Sequence, residues 1–320
     1  MSEEGRQDAA AQFWDRESVS PTHVSWMAHP SVRDYINASI GGSPHIWPMD
    51  WFVQFLGQRR FSRALSIGCG TGPLERDLIR RGICQHVDAF DGSPGSIDIA
   101  RNLAAEEGAG DRIHYYVDDF NEPKLPRNGY DIVFFHQSLH HVAKLEKLMA
   151  AILRTLRGGG LLYIDEYIGP SRFDWNDALI APHRALFAQM PAELRLYDPL
   201  PLPIHPVDPS EAIRSSEIMP QLARGFRLLA RRDYGGTILS VLFPMIDWSR
   251  APESLVGELV AAEKQALANG LQPYHAIAVS TPKRAPMRWL ARIGYFVTPK
   301  LRRIRWEVRK RLRPNEEVTF

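Results

Sequence analysis

From Arg63 onward, short apolar runs alternate with longer helical stretches, and this alternation restricts the fold more than any other feature. Strand length and apolar character are shared by RALSIG, HVDAFD, RIHYYVD, YDIVFFH and LLYIDEY. A helical period follows in LERDLIRRG, GSIDIARNLAAEEG and KLEKLMAAILRTLRGGG. Such alternation is typical of βαβ units, and two late runs, FRLLARR and HAIAVS, bring the strands to seven. We therefore predict an α/β fold with a doubly wound, mostly parallel seven-stranded sheet.

Clusters of glycine and proline divide the rest of the chain. Residues 1–60 are predicted to form an N-terminal helical cap of short helices separated by prolines and a glycine pair. Residues 61–282 contain the sheet, with a Pro-rich helical lid inserted at 170–225. A basic tail follows at 283–320.

Length and composition favour an intracellular enzyme. The chain has 320 residues, of which 44% are hydrophobic, enough for a large core. The two cysteines, Cys69 and Cys84, supply neither a disulfide framework nor a four-ligand zinc site. The polar N-terminus lacks a secretory pattern, and no run of about 18 apolar residues occurs. We expect a cytoplasmic protein.

The charge is distributed unevenly. Residues 283–313 carry twelve Lys or Arg against Glu307 alone, whereas the whole chain has a net charge of +2. An acidic body disfavours nucleic acid as the partner. The tail also repeats apolar residues at intervals of three and four, namely Leu301, Ile304, Val308 and Leu312. This pattern predicts a cationic helix that attaches peripherally to an anionic membrane surface; an arm packed on the acidic body, or an RNA contact, are the alternatives.

A glycine-rich turn ends the first predicted strand. Gly68, Gly70 and Gly72 lack the side chains that would block a ligand at the start of the next helix. Taken alone, this turn could simply be a tight connection. Asp91 ends the next strand, where a carboxylate can accept both hydroxyls of a ribose. Asp91 could instead cap the following helix, a role that Ser93 could also fill.

The third and fourth strands end in further polar residues. Asp118-Asp119-Phe120 offers a carboxylate to an adenine amino group and a ring to its face, although either Asp could be solvated. His136 ends the fourth strand and opens the run HQSLHH. Ligands of open α/β sheets bind at these carboxyl ends, so the sequence predicts a nucleoside site there.

In this order and spacing, the motifs resemble the class I S-adenosylmethionine-dependent methyltransferases, specifically the small-molecule branch. The resemblance covers about residues 63–167, in ALSIGCGTG, VDAFDGSPGSIDIAR, YYVDDFN, YDIVFFHQSLHHV and LRTLRGGGLLYIDEY. Gly158 departs from the pattern where the family usually has proline in this turn. The resemblance implies a Rossmann-like fold and S-adenosyl-L-methionine as the cofactor. It implies these cofactor contacts: the methionine part to Gly68, Gly70 and Gly72, the ribose to Asp91, and the adenine to Asp119 and Phe120. His136 is expected near the sulfonium because it lies at the carboxyl end of the fourth strand.

The end of the fourth strand also offers a base. Methyl transfer requires an aligned nucleophile and removal of its proton, a task that suits imidazole near neutral pH. We predict His141 or His140 as the general base, with Glu166 at the end of strand five as orienter or alternative base. The turn could instead cap the next helix. Three histidines in six residues also suggest a metal, but no carboxylate has a matching spacing, so none is expected.

The predicted lid should select the substrate. Asp208, Pro209 and Glu211 have the pattern of a capped helix start. Arg214 and Glu217 then share one helix face, where they are candidate substrate contacts or form an intrahelical ion pair. Most of the tryptophans should pack in the core or lid, and one or two could stack on the substrate; they are Trp14, Trp26, Trp47, Trp51 and Trp175.

These features together predict O-methylation of a small molecule such as a saccharide, a glycolipid precursor or a secondary metabolite. N- or C-methylation of another metabolite is the alternative, as is a catalytically silent protein that binds S-adenosylmethionine. An NAD dehydrogenase is disfavoured because the turn has GxGxG where dinucleotide sites have GxGxxG. The sequence specifies neither the acceptor nor the oligomeric state.

Overall fold

The computed structural model describes Phe13 and residues 25–283, and a seven-stranded sheet forms the centre of this part. Each predicted strand is present. The strands are β1 (Phe61–Ile67), β2 (Cys84–Asp91), β3 (Ile113–Val117), β4 (Tyr130–His136), β5 (Leu156–Tyr167), β6 (Phe226–Gly235) and β7 (His275–Pro282).

The strand order is β3-β2-β1-β4-β5-β7-β6. Strands β1 to β5 pair in parallel, and Leu65 of β1 has Asp88 of β2 and Val133 of β4 as its neighbours. Strand β7 runs antiparallel to both β5 and β6. The mostly parallel, doubly wound sheet is therefore confirmed. Its connections reverse direction between β1 and β4, and such a switch point opens a crevice at the carboxyl ends of the strands.

Helices cover both faces of the sheet. They are α1 (Pro30–Gly41), α2 (Pro48–Leu56), α3 (Pro73–Arg80), α4 (Pro94–Glu106), α5 (Leu145–Thr155), α6 (Asp177–Phe187), α7 (Ile218–Gly225), α8 (Leu239–Leu242) and α9 (Leu255–Ala268). Proline begins α1 to α4, a position where its missing N–H costs nothing. The helices predicted between the strands are thus present, with ends shifted by a few residues.

The core lies on both faces of the sheet. On one face, the Phe52 ring of α2 lies 4.7 Å from Tyr163 and 6.0 Å from Phe134, measured between centroids. On the other face, Leu148 and Ile152 of α5 are fully buried in the second apolar cluster. Each such side chain stabilises the fold by about 1.5 to 3 kcal/mol. This packing fixes the strand ends that position the site.

The segment after Asp208 differs from the prediction, because residues 209–214 form turns rather than a helix. The buried carboxylate of Asp208 accepts hydrogen bonds from Ser210 N–H (2.7 Å) and Oγ (2.6 Å), which closes a turn. Ala212 has φ +50°, which no α-helix accommodates. The predicted helix start at Asp208, Pro209 and Glu211 was wrong for this reason, and α7 begins only at Ile218.

Two features discussed from the sequence lie outside the described residues. These are Trp14 and nearly all of the basic tail, whose amphipathic pattern stays a prediction. The division into cap, sheet domain, lid and tail also stays a prediction. Within residues 25–283, no helix is both long and apolar enough to cross a lipid bilayer.

Candidate functional site

The glycine turn lies directly after β1 at the switch point. Gly68 and Gly70 have φ values of +74° and +52°, a region that side chains disfavour. A Cβ on Gly68 would collide with the side chain of Ser138, so the turn lies against the loop after β4. A Cβ on Gly70 would meet nothing within 4 Å. Open space therefore lies beside Gly70, where a ligand can approach the backbone.

Asp91 is tied to the same turn. Its Oδ2 accepts the Gly70 N–H (2.9 Å) and its Oδ1 accepts the Ser93 N–H (2.9 Å). Helix α4 is capped by Ser93, whose Oγ accepts the Ser96 N–H (3.0 Å). Asp91 is thus not the cap of α4. The Asp91 carboxylate is therefore held in a fixed orientation at the glycine turn.

Phe120 lies on the other side of the glycine turn. Its Cζ would be 3.6 Å from a Cβ built on Gly68, and its ring centroid lies 6.0 Å from Phe90. Asp119 Oδ1 accepts the Asn121 N–H (2.7 Å), which orients its carboxylate in a tight turn. The structure therefore brings the glycine turn and Phe120 together, with Asp119 next to them in the chain.

The loop after β4 is held by both neighbouring strands. Ser138 Oγ donates to the Ile67 carbonyl of β1 (2.7 Å). Gln137 has φ +55° and donates from its backbone N–H to the Asp165 carbonyl of β5 (2.8 Å). A non-glycine residue at positive φ is strained and persists only where its surroundings hold it. His136 stays about half exposed, with Nε2 3.7 Å from Asp165 Oδ2.

Glu166 fixes the turn that carries the two histidines. It is fully buried, and its Oε1 accepts the N–H groups of Ser138 (2.8 Å) and Leu139 (2.7 Å). Its Oε2 lies 2.8 Å from Nδ1 of His140. Glu166 therefore holds the His140 ring in one direction.

His141 is oriented by the turn after Asp208. Its Nδ1 lies 3.0 Å from Ser210 Oγ. Ser210 has one hydroxyl proton, which it donates to Asp208 Oδ1 (2.6 Å). Ser210 Oγ can therefore only accept from His141, so Nδ1 carries the hydrogen of the neutral ring. The lone pair of that ring is then on Nε2.

Glu211 faces both histidines. Its Oε2 lies 3.8 Å from His140 Nε2 and 3.7 Å from His141 Nε2. Burial alone lowers the pKa of His140, but the charges of Glu211 and Glu166 outweigh it and raise that pKa to about 9. Burial and the neighbouring His140 lower the pKa of His141. The pKa values of the two rings are thus shifted in opposite directions, so His140 holds a proton more tightly than His141.

A cavity of about 400 Å³ opens beside these side chains. Its lining comes from the loop after β4, the segment 170–225, residues 25–27 and the end of the sheet. The lining includes Trp26, Gln137, His140, His141, Tyr167, Arg172, Trp175 and Glu211. Arg172 Nη1 donates to the Asp208 carbonyl (2.9 Å), and burial lowers the pKa of this guanidinium.

The two residues predicted to contact substrate lie elsewhere. Arg214 and Glu217 do not line the cavity. The Arg214 guanidinium donates to both carboxylate oxygens of Glu146 (2.7 Å each) and to Glu217 Oε2 (2.7 Å). Arg214 and Glu217 therefore form an ion pair, as in the alternative to substrate contact. Arg214 also pairs with Glu146 of α5. Trp47 and Trp51 do not line the cavity either, whereas Trp26 and Trp175 do.

Sequence reasoning missed Glu75. This carboxylate is fully buried at the start of α3. Burial raises the pKa of Glu75 to about 7. Its position in a first helical turn indicates only a favourable helix dipole. Arg172 was missed too, and Glu211 was explained as a cap, because no local pattern marks either as a cavity residue.

Part of the chain is similar to known proteins. Residues 65–164 match the family described as Methyltransferase domain. Sterol 24-C-methyltransferase erg-4 of Neurospora crassa is 26% identical over 122 residues, which cover 38% of this chain and 32% of that protein. The ubiquinone/menaquinone biosynthesis C-methyltransferase UbiE of Azotobacter vinelandii is 26% identical over 173 residues, or 49% of this chain and 68% of that one. The chain thus spans about a third of the sterol enzyme's length.

A solved structure extends the likeness beyond the matched region. The geranyl diphosphate C-methyltransferase from Streptomyces coelicolor A3(2) superposes with a TM-score of 0.51 at 17% identity. The superposition covers 88% of this chain and 98% of that one. At this identity the likeness concerns the fold.

Proposed function

Because the chain belongs to the class I S-adenosylmethionine-dependent methyltransferases, we propose that it methylates a hydroxyl oxygen of a small molecule held in the cavity. The observation that carries the proposal is the position of the His140–His141–Glu211 cluster. It lies at the carboxyl end of β4, in the loop whose Ser138 packs against the glycine turn. A cofactor beside that turn and an acceptor in the cavity would meet there.

The cofactor site follows the family pattern. The methionine part would lie along the turn of Gly68, Gly70 and Gly72, where the space beside Gly70 is open. Asp91 would bind the ribose, since its carboxylate is oriented by the Gly70 N–H. Asp119 and Phe120 would bind the adenine, and His136 would lie near the sulfonium.

In the absence of a bound metal ion, His141 would be the general base for this transfer. A lone pair of the acceptor oxygen attacks the methyl carbon, the C–O bond forms, the S–C bond breaks and S-adenosylhomocysteine leaves. The hydroxyl proton passes to Nε2 of His141, whose Nδ1–H is held by Ser210. His140 and its partner Glu166 position the turn. The cluster thus supplies an imidazole base and a neighbouring carboxylate, the kinds of group that remove a hydroxyl proton.

The cavity lining indicates the acceptor class. Trp26, Tyr167 and Trp175 supply aromatic faces, and Gln137 and Arg172 supply polar groups. Aromatic faces combined with a few directed polar groups suit a ring that bears hydroxyls. This lining supports a saccharide, a glycolipid precursor or a hydroxylated secondary metabolite.

C-methylation is the second candidate. The sterol and quinone relatives are both named as C-methyltransferases. A base in the cavity could also ionise a hydroxyl next to a reacting carbon. The carbon NMR spectrum of the product separates the two outcomes, since an oxygen-bound methyl resonates apart from a carbon-bound one.

The test begins with the cofactor and proceeds to the acceptor. S-adenosylmethionine should bind the purified protein in calorimetric titration. Asp91→Ala should weaken that binding at least tenfold, because charge-assisted hydrogen bonds to the ribose contribute roughly 1.5 to 3 kcal/mol each. Glu106→Gln, on the exposed face of α4, is the control for a lost carboxylate and should bind normally.

A screen of metabolite pools with methyl-labelled cofactor would then identify the acceptor. A labelled small molecule supports the proposal. Normal cofactor binding without transfer to any pool would favour the catalytically silent alternative. Unchanged affinity in Asp91→Ala would contradict the ribose assignment.

A further inference from the structure

Three potential ligand atoms converge at the edge of the cavity. They are His140 Nε2, His141 Nε2 and one carboxylate oxygen of Glu211, and all lie within 4.8 Å of one another. The two imidazoles come from adjacent residues of the turn after β4. Glu211 comes from the turn after Asp208, seventy residues after His141 in the chain. Only the tertiary fold brings the three together.

The other nitrogen of each histidine is already held. His140 Nδ1 lies 2.8 Å from the buried carboxylate of Glu166. His141 Nδ1 lies 3.0 Å from Ser210 Oγ, which is itself bonded to the carboxylate of Asp208. Metal-binding histidines almost always have such a partner on the second nitrogen, because it fixes the tautomer and aims the lone pair. Both Nε2 atoms are aimed at Glu211.

We propose that His140, His141 and Glu211 bind a divalent transition-metal cation, with an open coordination position that faces the cavity. Two imidazoles and one carboxylate form a donor set that suits zinc, iron, cobalt and nickel. Three protein ligands also leave a position for a water or substrate oxygen, as in catalytic zinc sites. The charges agree, since the carboxylates of Glu166, Asp208 and Glu211 surround the site.

The distances from Glu211 to the two imidazoles exceed those around a bound ion by less than 1 Å. Donor atoms around a tetrahedral ion with bonds of about 2.0 to 2.1 Å lie about 3.3 Å apart. The measured separations from Glu211 are 3.7 and 3.8 Å. Glu211 is a third exposed and lies in a turn, so its side chain can close this gap, whereas His140 is buried and the His141 side chain is only a tenth exposed.

The consequence for catalysis rests on the proposed function. A coordinated acceptor hydroxyl has a lowered pKa, because the cation stabilises the oxyanion. The cation would then take over from His141 the task of making the acceptor oxygen nucleophilic. The sequence-based expectation of no metal relied on local spacing, which cannot reveal a ligand that arrives from a distant segment.

The test uses the full-length, untagged protein after removal of metals by a chelator. Titration with Co²⁺ should give visible absorption bands that saturate at one ion per chain, and Zn²⁺ should give a one-site calorimetric isotherm. His140→Ala, His141→Ala and Glu211→Gln should each weaken Co²⁺ binding by at least 100-fold. His45→Ala, which removes an exposed histidine outside the cluster, is the matched control and should bind normally.

A further variant tests whether Glu166 orients His140 for metal binding. Glu166→Gln keeps the shape of the side chain but weakens the hold on His140, and should lower Co²⁺ affinity 10- to 100-fold. Circular dichroism shows which variants fold; Glu211→Gln, at a part-exposed position, is the most conservative.

Two results would overturn the proposal. One is the absence of visible bands and heat up to about 1 mM cation, which is about 1000 times the Kd of a roughly micromolar site. The other is unchanged Co²⁺ binding in the folded Glu211→Gln protein. Binding of S-adenosylmethionine to the metal-stripped protein is measured separately, so failure of the cation site and failure of the proposed methyl transfer remain distinguishable.

Discussion

Replacement of Glu75 by glutamine should remove a pH-dependent cost from the fold. Glu75 is fully buried, and burial raises its pKa from 4.5 to about 7. A raised carboxyl pKa means that the folded state binds the proton more tightly than the unfolded state. The contribution of Glu75 to stability is therefore complete below pH 4.5 and is lost as the pH rises toward 7.

The size of the effect follows from the pKa. A displacement from 4.5 to about 7 corresponds to roughly 3 kcal/mol at high pH, since each pH unit is worth about 1.36 kcal/mol. Between pH 5 and pH 8 the expected loss is about 2 to 3 kcal/mol. The glutamine amide has nearly the same shape, and its desolvation cost does not change with pH. The difference between variant and wild type therefore isolates the titration of Glu75.

Urea unfolding of both proteins, without cofactor, at pH 5 and pH 8 measures this difference. The free energy of unfolding of Glu75→Gln minus that of wild type should increase by about 2 to 3 kcal/mol from pH 5 to pH 8. Glu106→Gln on α4 is an exposed control and should show no such increase. A difference that is constant with pH, or that decreases, would refute the assignment of Glu75 as a strained buried carboxyl.

Three further predictions concern catalysis, stability and attachment to membranes. His141→Ala should lower turnover by about 10² to 10⁴ with cofactor affinity nearly unchanged, measured by initial rates and titration; if only His140→Ala does so, the base is misassigned by one residue. Arg214→Ala removes the ionic partner of the buried Glu146, which keeps a hydrogen bond from Gln221 (2.7 Å), so urea unfolding should show a loss of about 3 to 5 kcal/mol, and a loss under about 1 kcal/mol would contradict the contact. Removal of residues 283–320 should abolish sedimentation with anionic vesicles while cofactor binding survives. Vesicle binding by the wild type should weaken as salt shortens the screening length from about 10 Å at 0.1 M to about 3 Å at 1 M. Equal sedimentation of the truncated and full-length proteins would exclude a membrane anchor in the tail.

The sequence by itself determined the sheet and its order of motifs. Strands and interstrand helices depend on hydrophobic period, glycine and proline over a few residues, and these signals are local. For the same reason the glycine turn, Asp91 at the end of β2 and the histidines at the end of β4 could be placed at one edge of the sheet. Parallel strands share that edge whatever else the chain does.

Only the tertiary structure decided which side chains meet. Glu211 approaches the histidines because Asp208 closes a turn with Ser210 instead of capping a helix. This turn is formed by a carboxylate that is buried in the folded protein. Arg214 is drawn to Glu146 of α5, a partner 68 residues away in the chain. Contacts across such distances form only after separate elements dock, so no periodicity or spacing in the sequence encodes them.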